Sequence, residues 1–130
     1  RDLHSFPTRR SSDLYSYGQE LATAVQYGLA IIVIVVNNGM YGTIRMHQER
    51  EYPERVHGTD LMNPDFAALA RAYGAFGERV ETTADFAPAF ERAIASGKPA
   101  LLELRLDPEA ITPRLGLSQI RENALKARGG

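Results

Sequence analysis

Leu29 to Val36 reads LAIIVIVV and runs without a break into Asn37-Asn38-Gly39. The run is apolar, mostly β-branched and without polar alternation, which is how a strand buried on both faces of a parallel sheet reads. It is well short of the roughly 20 apolar residues a membrane helix needs. Immediately upstream, GQELATAVQY from Gly18 to Tyr27 sets Leu21, Ala22, Ala24 and Val25 near one helical face, with Gly28 as a stop. A helix feeding directly into such a strand is half of a doubly wound unit. The expected fold is therefore α/β, a mostly parallel sheet with helices on both faces. Asn37-Asn38-Gly39 ends the strand with turn-forming residues, and in an open α/β sheet ligand sites lie at such strand ends.

Downstream, Thr43 to Arg50 is expected to form a short helix, and Glu51 to Met62 (EYPERVHGTDLM) a loop broken by Pro53 and Gly58. Asn63-Pro64-Asp65 reads as a helix start with Asn63 as cap, followed by Phe66, Leu69, Ala70 and Tyr73 at helical spacing and by Gly74 as the end. Ala75 to Glu81 follows as a short strand. Asp85 to Ser96 is then a helix capped by Asp85, which would keep Pro88 in the first turn, with Phe86, Phe90, Ala93 and Ile94 as its buried stripe. Ala100 to Leu106 (ALLELRL) is the last expected strand, and Leu117 to Lys126 a terminal helix.

The chain has 130 residues, 44% of them hydrophobic and 24% charged, which suits one domain with a real core. A net charge of −1, with acids and bases interspersed, carries no footprint for nucleic acid and no polybasic membrane face. The absence of cysteine removes disulfides, thiolate metal sites and cysteine nucleophiles together. A cytoplasmic location is the default expectation.

Arg1 to Leu14 (RDLHSFPTRRSSDL) stands apart from this pattern. It has no helical or strand period, no apolar core of a signal peptide, and two aspartates that count against a transit peptide. The string HSFPTRRSSDL resembles one reading frame of a common sequencing-library adapter. The expected organisation is thus a non-native or disordered segment over residues 1–14, followed over 15–130 by a partial domain without its first strand.

The stretch IIVIVVNNGMYGTIR sets two amides and a glycine at the end of the buried strand. Side-chain and backbone carbonyls there suit a hard cation such as Mg²⁺, which takes about six oxygen ligands, although Asn-Asn-Gly after a strand is also an ordinary turn. From Gly18 to Pro113 the sequence resembles the C-terminal domain of thiamine-diphosphate enzymes such as acetolactate synthase, glyoxylate carboligase, benzoylformate decarboxylase and pyruvate oxidase. The resemblance rests on the GQELATA helix, the hydrophobic strand and the NNGMYG turn. It implies that Asn38 ligates Mg²⁺ through its side chain and Met40 through its main-chain carbonyl. It further implies that Tyr41 and Gly42 line the diphosphate and thiazolium of thiamine diphosphate, while Asn37 fixes the turn.

In that family a Gly-Asp-Gly motif precedes the second Asn by about 27 residues. Here that count lands on Ser11, between Arg10 and Ser12, so the metal carboxylate is missing. No catalytic residue is assigned, because relatives draw the activating glutamate from another domain, commonly of a neighbouring subunit. The resemblance implies a parent lyase or transferase acting on a 2-oxo acid, a homodimer or homotetramer with further N-terminal domains, and an isolated fragment that is inactive. Whether that parent binds FAD is left open, and the lack of tryptophan after the turn weakens a specific acetolactate assignment. The competing reading is a non-catalytic doubly wound binding or regulatory domain. Glu20 reads as a surface or helix-packing residue, and His47 and His57 as solvated, with a substrate-facing role the competing reading, stronger for His47 than for His57. Arg45 is a candidate for a substrate carboxylate or the diphosphate, and Tyr52 and Arg55 for a lid built from the 51–62 loop.

Overall fold

A computed structural model describes Thr8–Arg10 and residues 19–129. Residues 1–7, 11–18 and Gly130 lie outside the described residues, and with them the position of Ser11 and most of the segment read as non-native. The described elements are β1 (Thr8–Arg10), α1 (Gln19–Gln26), β2 (Ile32–Asn37), α2 (Gly42–Glu51), α3 (Phe66–Ala72), β3 (Phe76–Val80), α4 (Thr83–Ala95), β4 (Ala100–Arg105) and α5 (Leu117–Arg128). They fall into two compact units. The first gathers the described residues up to Asn37 together with Asn63–Arg105, and the second Asn38–Met62 with the described residues from Leu106 onward.

The first unit is a parallel sheet in the order β1-β2-β4-β3. Its centre is the β2/β4 pair, in register from Ile32↔Ala100 to Asn37↔Arg105. β3 joins the other side of β4, from Phe76↔Ala100 to Val80↔Leu104. Successive side chains on a strand point to opposite faces, so β2 and β4 each feed two cores. Ile32, Ile34, Ala100 and Leu102 pack with Val80 and with Ala89 and Ala93 of α4. Val35 and Leu101 pack on the other face with Leu21 of α1 and with Phe66 and Ala70 of α3. Helices therefore cover both faces, and the apolar character of Ile32 to Val36 is explained by burial on two sides.

Several local expectations shift. The strand begins at Ile32 rather than Leu29, because Leu29 and Ile31 are exposed. Three residues, Thr8–Arg10, pair in parallel with β2 from Thr8↔Ile34 to Arg10↔Val36, at an edge where no strand was expected. The cap of α3 is Asp65, whose Oδ1 accepts from the Ala68 N–H at 2.7 Å, and not Asn63. The cap of α4 is Thr82, accepting from the Asp85 N–H. Asp85 as cap would find Pro88 at the third position, which has no N–H to offer, whereas Thr82 finds the Asp85 amide there. Pro88 consequently lies inside α4 rather than in its first turn, and Ile94 is 58% exposed. Helix α2 is longer than expected, starting at Gly42 and ending at Glu51.

Gly77 sets how closely α3 lies on β3. A Cβ placed there would sit 2.2 Å from the Ala67 carbonyl oxygen and 3.0 Å from the Ala70 Cβ. Arg71 seals the contact by donating from Nη1 to the Gly77 carbonyl at 2.7 Å. At the end of α3, Gly74 takes a positive φ of 87°, which only glycine adopts freely.

In the second unit α2 and α5 are joined by Glu49, whose side chain has 0% exposure. Arg121 on α5 donates to both of its oxygens, Nε to Oε2 at 2.7 Å and Nη2 to Oε1 at 2.5 Å. Arg45, one turn earlier on α2, donates from Nε to Oε1 at 3.3 Å. The start of α5 is capped from outside by Glu109, which accepts from the Ser118 N–H and hydroxyl at 2.9 and 3.0 Å. At the other end Arg128 bonds the Glu51 carbonyl and lies over the Tyr52 ring.

Two stability predictions follow from these contacts. Gly77→Ala should cost about 1–3 kcal/mol by overpacking, read as a lower urea midpoint without a change of slope. Glu49 is held below its ordinary value of 4.5, first by the Arg121 hydrogen bonds and against the opposing effect of burial. A depressed folded value contributes stability that is present above the unfolded value and is lost as pH falls through the folded one. Acid titration followed by denaturant unfolding should show this loss beginning below pH 4.5, and Glu49→Gln should flatten that part of the slope.

Candidate functional site

β2 ends in Asn37, and the chain then turns through Asn38, Gly39, Met40 and Tyr41 into α2 at Gly42. Asn37 belongs to the first unit and is 1% exposed. Its Nδ2 donates to Glu103 Oε1 at 2.7 Å, and its Oδ1 accepts from Asn63 Nδ2 at 2.8 Å. Glu103 also receives Arg79 Nε at 3.4 Å, and Arg79 reaches the α3 cap, Asp65, at 3.2 Å. A line of polar groups thus ties the carboxyl ends of β2, β4 and β3 to the start of α3. Burial of an ionised carboxylate is costly without such partners. The Asp65 carboxyl is held below its ordinary value, chiefly by the Ala68 N–H it accepts and then by the nearby Arg79. Asn37 accordingly anchors the strand end by its side chain.

The second unit contains Asn38, Met40, Tyr41 and Gly42. Asn38 Oδ1 accepts from the Met40 N–H at 3.2 Å, closing a small side-chain turn. Gly39, at φ 71°, supplies the left-handed residue that this turn requires. Gly42 is required for a different reason. A Cβ there would lie 2.7 Å from Asn38 Nδ2 and 2.7 Å from Ile111 Cδ1, so the Asn38 amide occupies the space a side chain would fill. Tyr41 is 40% exposed, makes no side-chain cap to α2, and enters the turn through its backbone.

The turn is bracketed by the far end of the 51–62 loop. Met40 and Asp60 form an isolated antiparallel bridge. Tyr41 N–H donates to the Thr59 carbonyl and Leu61 N–H to the Gly39 carbonyl, both at 2.8 Å. Thr59 is buried, and Arg45 reaches its Oγ1 at 3.5 Å and Asp60 Oδ1 at 3.3 Å. Gln48 holds the middle of the loop, donating to the His57 carbonyl at 2.9 Å and accepting its N–H at 3.3 Å.

Asn38, Met40 and Gly42 are therefore brought together, with Tyr41 beside them. His47, His57, Arg55 and Glu20 are exposed. Arg45, a candidate for an anionic ligand, is instead committed to Glu49, Thr59 and Asp60. Tyr52 lies beneath Arg128. Sequence reading missed Glu49, Glu103 and Thr59. The usable signals were a glutamate inside the apolar strand ALLELR and the i,i+4 spacing of Arg45 and Glu49; Thr59 carried none. Among the described residues no group of three or more His, Cys, Asp or Glu side chains is arranged to hold a metal ion. No helix among them is long and apolar enough to cross a membrane.

Residues 12–104 match the family described as thiamine pyrophosphate enzyme, C-terminal TPP binding domain. The acetolactate synthase large subunit of Parasynechococcus marenigrum is 36% identical over 90 residues, which are 68% of this chain and 15% of that protein. The putative thiamine pyrophosphate-containing protein YdaP of Bacillus subtilis is 37% identical over 100 residues, 73% of this chain and 16% of that protein. Among solved structures, the thiamine diphosphate-dependent 4-hydroxybenzoylformate decarboxylase of Rhodococcus jostii RHA1 superposes with a TM-score of 0.67 at 33% identity, covering 75% of this chain and 19% of that one. Benzoylformate decarboxylase of Polynucleobacter necessarius gives 0.71 at 26% identity, over 82% and 20%. The chain spans less than a fifth of the length of these curated relatives. A parallel sheet with helices on both faces, a polar turn where β2 ends and a family match over most of the chain lead to one assignment: the chain belongs to the thiamine pyrophosphate enzymes, as their C-terminal TPP-binding domain.

Proposed function

We propose that the chain is the cofactor-binding part of a thiamine-diphosphate enzyme that decarboxylates or ligates 2-oxo acids, and that Asn38 and Met40 are its contribution to the Mg²⁺ shell. The observation that carries this is the turn itself. Asn38 Oδ1 accepts one hydrogen bond, from Met40, and an amide oxygen has a second lone pair for a cation. The two bonds of the bridge flank Met40, so its own carbonyl points away from Asp60, and among the described residues it accepts no hydrogen bond. Two neutral oxygens fit a hard cation but fill only part of an octahedron of about six. The remaining ligands would come from the diphosphate and from a carboxylate that the sequence does not supply at Ser11.

Gly42 would admit the diphosphate close to the backbone, with Tyr41 at the edge of the same turn. When bound, thiamine diphosphate supplies the carbon that attacks a 2-oxo acid and the electron sink for loss of CO₂. This chain's residues bind and orient. The activating acid and the substrate-selecting residues belong to other domains of a homo-oligomeric, cytoplasmic parent. Residues 1–14 are read as foreign to that parent, on the strength of their adapter-like sequence.

Calorimetry of the 130-residue chain with thiamine diphosphate and Mg²⁺ should detect little or no binding; micromolar affinity would overturn the view that the metal carboxylate is lost. Codons beneath residues 4–14 that match adapter DNA, and a Gly-Asp-Gly in the undamaged reading frame, are the expected genetic results. A complete frame without that motif or any upstream domain would favour a non-catalytic binding domain instead. In the complete enzyme, Gly42→Ala should weaken Mg²⁺-dependent cofactor binding by about tenfold or more, since the added methyl must displace the Asn38 amide, a loss of about 1.4 kcal/mol.

A further inference from the structure

We infer that Arg45 and the Thr59–Leu61 segment form a positioning strap for the Met40 carbonyl, with Arg45 as a positioning residue and not a binder of substrate or phosphate. The inference rests on the reading of Asn38 and Met40 as metal ligands. Met40 sits between two backbone hydrogen bonds of 2.8 Å, from Leu61 N–H to the Gly39 carbonyl and from Tyr41 N–H to the Thr59 carbonyl. An isolated bridge of two bonds has no sheet to reinforce it, so its persistence depends on what holds residues 59–61. The holding group is Arg45. Its Nη1 spans Thr59 Oγ1 at 3.5 Å and Asp60 Oδ1 at 3.3 Å, while its Nε is fixed by Glu49 at 3.3 Å.

The balance of charges explains why Arg45 points this way. Glu49 is fully buried and already bound at both oxygens by Arg121, and its Oε1 also receives Arg45 from the same helix. The guanidinium is planar with donors in a fixed fork, so fixing Nε sets the direction of Nη1. Asp60 is 86% exposed, and its pairing with Arg45 is correspondingly screened. Thr59, at 1% exposure, is the buried end of the contact. Gln48 supports the same segment further along by its two hydrogen bonds to His57. Arg45 thus carries the order of a buried ion pair to the backbone beside a proposed ligand atom.

Amide hydrogen exchange on the 130-residue chain tests the strap without any cofactor. Arg45→Met keeps the aliphatic stem and leaves Glu49 paired with Arg121. It should speed exchange at Tyr41 and Leu61 by about tenfold or more while leaving Ile120, in α5 of the same unit, unchanged. Unchanged rates at Tyr41 and Leu61 would overturn the inference, and so would equal acceleration at Ile120, which is the signature of a merely structural arginine. In the complete enzyme, Arg45→Met and Leu61→Pro, the latter removing the donor to Gly39 and fixing φ at residue 61, should each raise the dissociation constant of Mn²⁺ with thiamine diphosphate by about tenfold. Unaltered constants in both variants would sink the strap while leaving the ligands in place. Failure of the unmodified complete enzyme to bind Mn²⁺ with thiamine diphosphate would sink the ligand reading itself.

Discussion

The parallel pairing of β2 with β4 is the constraint from which the first unit is built. Each is buried on both faces, so every side chain from Ile32 to Val35 and from Ala100 to Leu102 must find an apolar partner above or below the sheet. Their backbone groups, removed from water, must be satisfied within the ladder. Parallel strands also cannot be joined by a tight turn, so helices have to carry the chain back across the faces. The two cores, one under α4 and the other under α1 and α3, follow from that requirement.

The buried polar groups of β2 and β4, Asn37 and Glu103, lie toward the carboxyl ends of those strands. Glu103 is two residues beyond Leu101 on the same face of β4, and it would be a liability without Asn37 and Arg79. With them it joins three strand ends and, through Arg79 and Asp65, the start of α3. The consequence for function is that β2 stops at a defined residue with its side chain anchored, and the next residue is Asn38. The second unit uses the same device in helical form. Glu49 is buried between arginines from α2 and α5, and one of those arginines reaches on to the segment that brackets Met40.

The curated relatives are much longer proteins. This chain's similarity runs through the sheet, the helices and the turn, over less than a fifth of the curated relatives' length. Chemistry in thiamine-diphosphate enzymes belongs largely to the cofactor, and the protein contributes binding, orientation and exclusion of water.

Local pattern was enough for the architecture, because two-sided burial leaves an unbroken apolar run in Ile32 to Val36 and helical spacing leaves stripes such as Phe66, Leu69, Ala70 and Tyr73. The turn at Asn38 was legible for the same reason, since amides and glycine at a strand end have few other uses. Caps were misassigned between neighbours, Asn63 for Asp65 and Asp85 for Thr82. Several residues within one turn can cap equally well, and only the path of the chain selects among them. Tertiary structure alone decided the partners of Glu49 and Glu103, 72 and 66 residues away in sequence, and it alone turned Arg45 from a free cation into a strap. A charged side chain reads as solvated until folding brings its counter-charge to it, and no local period records that meeting.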